Sequence, residues 1–483
     1  MLDADITGAG YTTSNDTPAI KNWIEGSGIK FEIKEFADND AMLLALQADT
    51  LPDLFILDYP RYSGGVMGLY NDGLVIELTE EMLAEYAPDY WAVMNSQPLY
   101  RQYITQLDGK MYNMSSLVFE PNSIYRFWQQ LTYRGDMLEK YGLKMPETNE
   151  EFYDLLVYAK NNIEGIDIPF VMDAAHMTTF AEMGYCSSAY GLVAAHEYQK
   201  DGVYHIGYYD EEYRDMLAFI NKLYNEGLIS PDFASMDQAT AQSAFTTGSA
   251  IVICTNNSRM STLKGAVEED GGYMVGGSVL HGADQEKAYF SFADPYINNT
   301  FTTFITTETK HPELCLQLMN YLYTEEGNMM RNYGKEGVSY EIVDGVPTYT
   351  EYVTKNPNGY SLDSMIRSEA LINWPGIHAN EMLAQRHPEQ SQLDSYKMQE
   401  ATSTPDLYTM VYSGVLDEYL DEYTDLWTDI NTYILECRTR FISGELNLEG
   451  DFDAYRQTLK NMGIERVIEI KQATLDAFNK AFQ

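Results

Sequence analysis

The chain has 483 residues and a formal charge of −42, from 73 acidic and 31 basic residues. A field of that sign repels phosphate backbones, and no basic stripe is present to release counterions, which excludes nucleic-acid binding. No apolar run approaches the ~18 residues of a membrane span, and the length predicts two or three domains.

Met1 is followed at once by Leu2, Asp3 and Ala4. An export signal is therefore expected to be absent or already removed. Residues 29–36 (IKFEIKEF) alternate and predict a strand, and 39–48 predict a helix with Asp38 as its cap. Leu54-Phe55-Ile56-Leu57 is a short apolar run, the mark of a strand covered on both faces in an α/β sheet. Asp58, Tyr59, Arg61 and Tyr62 follow it, at the strand end where open α/β sheets bind ligands. A helix begins near Thr79, and Asp108-Gly109 marks a turn. Residues 131–134 predict a strand, with a helix from Gly135. Thr148 and Glu151 form a capping box ahead of an apolar stripe. A longer helix is predicted from Glu211 to Glu226, then a strand over Ala250–Cys254 and a surface loop over 265–273. Residues 288–306 read as extended, and Pro312 opens a helix. Tyr340–Val343, Asp344-Gly345 and Val346 predict a hairpin. The last third is helical, at about 411–442, 451–462 and 465–480.

Enzyme chemistry lacks a constellation here. No GxSxG, Walker, HExxH or GxGxxG pattern occurs, and the seven His residues make no i,i+4 pair. Cys186, Cys254, Cys315 and Cys437 are far apart, so no metal site is predicted and buried free thiols are expected. No catalytic residue and no cofactor is assigned. Paired carboxylates of a glycoside hydrolase remain an alternative, with Asp53, Asp58 and Asp136 near strand ends. Aromatic residues are abundant, with 39 Tyr and 5 Trp. Trp128, and Trp374 in the loop Asn373-Trp374-Pro375-Gly376, offer flat faces for sugar rings or for core packing. Arg134 and Asp136 either bind hydroxyls or pair with each other. Asn257, just past the strand at 250–254, completes the candidate ligand-binding set of Asp58, Tyr59, Arg61, Tyr62, Trp128, Arg134, Asp136, Asn257 and Trp374.

Several segments occur in an order that resembles the extracellular solute-binding proteins of ABC importers, in the carbohydrate-binding lipoprotein branch of Gram-positive bacteria. They are Leu46–Asp53 (LQADTLPD), Gly73–Thr79 (GLVIELT), Asp108–Tyr112 (DGKMY), Tyr133–Leu138 with Gly142–Thr148, Gly334–Tyr340 (GKEGVSY) and Met462–Ala473. The resemblance implies a two-lobed, periplasmic-binding-protein-like α/β fold of type II, the maltose-binding class, with a helical C-terminal extension. Residues 1–125 and 290–335 are expected in one lobe, and 126–289 and 336–483 in the other. It further implies a sugar ligand, permease subunits as partners, a monomer, and a lipid anchor at the extracellular face of the membrane. Residues 161–169 supply too few oxygens for the calcium-like loop of some relatives, so no metal is expected. Binding of a peptide or another polar solute is the further alternative.

Overall fold

The computed structural model describes residues 4–37, 39–46, 51–58, 62–127, 129–193, 195–256, 259–269, 271–289, 296–356, 358–404 and 414–481. Among them eleven strands form: β1 (Leu54–Leu57), β2 (Met114–Leu117), β3 (Gln129–Arg134), β4 (Phe170–Val171), β5 (Glu197–Lys200), β6 (Val203–Ile206), β7 (Val252–Asn256), β8 (Met274–Gly276), β9 (Ile297–Ile305), β10 (Tyr340–Val343) and β11 (Val346–Tyr349). The chain divides into two compact units. One comprises Met1–Ser123, Pro295–Arg386 and Ala477–Gln483; the other comprises Ile124–Asp294 and His387–Asp476.

The first unit holds a sheet ordered β1-β9-β2, with β9 antiparallel to both neighbours. Helices Pro18–Ser27, Glu80–Tyr86, Pro98–Ile104 and Pro312–Tyr321 cover it, burying Trp23, Leu83, Tyr100 and Leu316 in one core. Proline opens three of these four helices, where its missing N–H costs nothing. The hairpin β10–β11 turns on Asp344 and Gly345, with φ of 52° and 82°, as a two-residue turn of its hand requires. Residues 336–386, expected in the second unit, belong to the first. Tyr340 and Tyr349 each place their ring 5.5 Å from Tyr333, so the segment packs on the helix it follows, Glu325–Tyr333. Without a linker, composition had no means of marking where the chain crosses over.

The second unit holds a sheet ordered β4-β7-β3-β8, with only β4 and β7 parallel. Its core buries Phe152, Leu155, Leu156 and Ala159 of the helix Asn149–Asn162, with Tyr213, Met216, Leu217, Ile220 and Leu223 of Glu212–Asn225. The capping box at Thr148 and Glu151 is present, an arrangement that contributes about 1 kcal/mol. The long helix runs Leu420–Ser443, and its Ile430, Ile434, Cys437 and Phe441 enter the same core. Its predicted start near 411 lies outside the described residues, and 414–416 are not helical.

Two further expectations change. Residues 29–36 are extended but pair with no strand among the described residues. The Asn15 side chain takes the place of a neighbour there, accepting from Ile33 N at 2.9 Å and donating to Ile33 O at 2.8 Å. Alternation reports a half-buried extended segment, whereas a ladder also needs a partner. Residues 260–269, read in part as loop, form a helix. Met260, Leu263 and Val267 bury on one face, and Gly265 lies on the exposed side, where its cost is lowest.

Candidate functional site

In the first unit, β1 ends at Leu57, and Asp58 follows, half-buried. Tyr59 and Arg61 lie outside the described residues. Tyr62 donates its hydroxyl to Asp72 Oδ2 at 2.6 Å, tying the loop to the C-cap of the helix Gly65–Asn71. Burial first, and the Asp72 carboxylate second, push that hydroxyl up to about 12.

Trp374 sits half-buried in a loop fastened at several points. Its ring meets Trp23 edge-on at 5.7 Å, inside the unit's core. Arg331, fully buried, donates to the carbonyls of Ile372 at 3.0 Å and Trp374 at 2.9 Å. Burial without a carboxylate lowers that guanidinium to about 9. Ser116 of β2 bonds Gly376 N at 3.0 Å. The loop is therefore a rigid platform rather than the free aromatic loop its composition suggests.

In the second unit, Trp128 and Asn257 lie outside the described residues, but their neighbours Gln129 and Asn256 face each other in the β3–β7 register. This end of the sheet is polar inside. Gln129 Oε1 and both amide atoms of Gln130 are buried without a partner among the described residues. Tyr185 donates to the Gln129 carbonyl and to Gln399 Oε1. Buried amides left open in this way are groups that water or a ligand must satisfy. Sequence reading passed over Gln129, Gln130, Tyr185 and Gln399; the signal available was two adjacent glutamines opening a fully buried strand.

Arg134 and Asp136 stand at the other end of β3, five residues and roughly 17 Å from Gln129. They meet each other: Arg134 Nε and Nη2 bond the two Asp136 oxygens at 2.9 Å each. Arg134 Nη1 donates to the Phe245 and Thr246 carbonyls at the C-terminus of the helix Gln238–Thr246. Burial raises the Asp136 carboxyl, but the guanidinium outweighs it and holds the group below its ordinary value. This pair is a lock on the fold.

All four cysteines are free and buried. No group of three His, Cys, Asp or Glu among the described residues is placed to hold a metal, and no described helix is long and apolar enough to cross a membrane.

The profile of the family described as bacterial extracellular solute-binding protein matches residues 17–329. The chain belongs to this family. Over 486 aligned residues it is 24% identical to "Lipoprotein LipO" of Bacillus subtilis, covering 95% of this chain and 89% of that one. Among solved structures it resembles an HMO-binding, ABC-transporter-associated solute-binding protein of Bifidobacterium longum infantis, with a TM-score of 0.74, 16% identity and 96% of both chains covered. It also resembles the ABC-transporter substrate-binding protein FusA of S. pneumoniae in complex with kestose, with a TM-score of 0.71, 18% identity and 96% of both chains covered. The chain thus has the α/β fold of solute-binding proteins from end to end.

Proposed function

We propose that this solute-binding protein captures an oligosaccharide outside the cell and passes it, chemically unchanged, to the membrane subunits of an ABC importer. The observation that carries the reading is likeness over nearly the full chain to proteins whose names state sugar ligands, the kestose complex among them. The polar interior at the Gln129 end of β3 suits a ligand rich in hydroxyls, because each open amide can be met by one. Asp58, Tyr59, Arg61, Tyr62, Trp128 and Asn257 are the proposed contacts. Trp374 is held on its own platform in the first unit, and Arg134 and Asp136 hold the second unit's frame. The lipid anchor at the cell surface, taken from the lipoprotein relative, and a monomeric state belong to the same proposal.

Hydrolysis with Asp136 as the acid is disfavoured by its partner. A glycosidase needs one carboxyl held protonated near neutral pH. Asp136 is pulled the other way by Arg134.

Titration calorimetry against a panel of oligosaccharides, with chromatography of the recovered sugar, tests the proposal. One sugar per chain and no product is expected, and Tyr59→Ala should weaken binding by roughly threefold to tenfold. Cleaved sugar, or binding of peptides alone, would overturn it.

A further inference from the structure

The helix Leu362–Glu369 ends on a carboxylate without a counter-charge. Glu369 is 1% exposed. It accepts from the Tyr352 hydroxyl at 2.8 Å, and no Lys, Arg or His among the described residues pairs with it. A carboxylate buried in this way carries a desolvation cost that one neutral donor does not offset. Position adds to the problem, since the last helical turn presents the negative end of the helix dipole.

Tyr352 is also a wall of a recess of about 140 Å³ in the first unit. Tyr11, Tyr360, Asn356, Met365 and Ser368 complete most of the lining. Burial first, and the Glu369 charge second, raise the Tyr11 hydroxyl. A single water occupies roughly 10–15 Å³ in the same measure, so the recess has room for a small organic molecule. Three tyrosines line the recess, the Asn356 amide oxygen is already taken by Tyr360 N at 2.9 Å, and the Glu369 carboxylate lies one hydrogen bond behind the Tyr352 hydroxyl. A neutral polyol would fill the hydroxyl positions and leave the charge uncompensated, and an anion would be repelled. A cation without a strong hydration shell answers both the aromatic lining and the carboxylate behind it.

We infer that this recess is a binding site for a small organic ammonium, held by Tyr11, Tyr352 and Tyr360 and by the charge of Glu369. None of these residues belongs to the proposed sugar contacts. The test is calorimetric titration of the full chain with choline and with its neutral isostere 3,3-dimethylbutan-1-ol at pH 7. Choline should bind one per chain, and at least roughly tenfold more tightly than the alcohol. E369Q should erase that preference while its melting profile stays cooperative, and Tyr360→Ala should weaken choline with Glu369 intact. Absence of choline binding, equal binding of the alcohol, or an unchanged preference in E369Q would each overturn the inference.

Discussion

Asp363 and Glu369 are acids on the same eight-residue helix, and they meet opposite fates. Asp363 lies in the first turn, where the helix dipole favours a negative charge. Arg367 Nε and Arg386 Nε each reach it at 2.7 Å. Burial alone would raise it, but the two guanidiniums bring it down to about 2. Glu369 lies in the last turn, is more deeply buried and has a single tyrosine hydroxyl, and burial raises it. The difference teaches that burial is not what decides whether a carboxylate stabilises this fold. The decision rests with the charges that tertiary packing delivers to it, with the dipole adding in the same sense at each end.

The largest test of that lesson lies in the second unit, where Glu182 is 1% exposed and rests on Arg438 at 2.8 Å and Tyr208 at 3.0 Å. Arg438→Ala should cost about 3–5 kcal/mol in urea unfolding, because it strands a buried charge. A loss below 1 kcal/mol would show that tyrosine alone suffices, and would dissolve the contrast with Glu369.

Next in size is the acid limb set by Asp363. Its folded value lies below its ordinary 3.8, so the stability it confers is full above that value and disappears as pH falls through about 2. With the side chain 35% exposed, screening leaves about 1–2 kcal/mol. Asp363→Asn should lose that amount at pH 7 in equilibrium unfolding and converge with the parent chain near pH 2.

The smallest effect has the opposite sign. Glu369 is raised above its ordinary 4.5. The folded state therefore holds its proton more tightly, and the group favours folding at low pH and opposes it once pH passes the folded value. E369Q should raise stability at pH 7 by about 1 kcal/mol, and the gain should vanish below pH 4. A destabilised E369Q at pH 7 would mean that a counter-charge reaches Glu369 after all.

Much of the frame was legible in the residues. The capping box at Thr148, the proline at 312 and the Asp344-Gly345 turn act through neighbours a few positions away, so local chemistry was enough to place them. The strand over 29–36 failed for a complementary reason. Its alternation was real, but a ladder depends on another segment, and the Asn15 side chain holds that backbone instead. The candidate site was legible only in part. Arg134 and Asp136 read equally well as ligand contacts or as a pair, and only the distances chose the pair.

The sequence by itself determined the family, several helix starts and the tight turns, because order of motifs and short-range hydrogen bonding need no third dimension. Tertiary structure decided which polar groups are locked together and which stay open. Glu369 was one acid among 73 until folding buried it beside Tyr352, with no arginine among the described residues paired to it. Charge balance in an interior depends on residues far apart in the chain, which is why it could not be read along it.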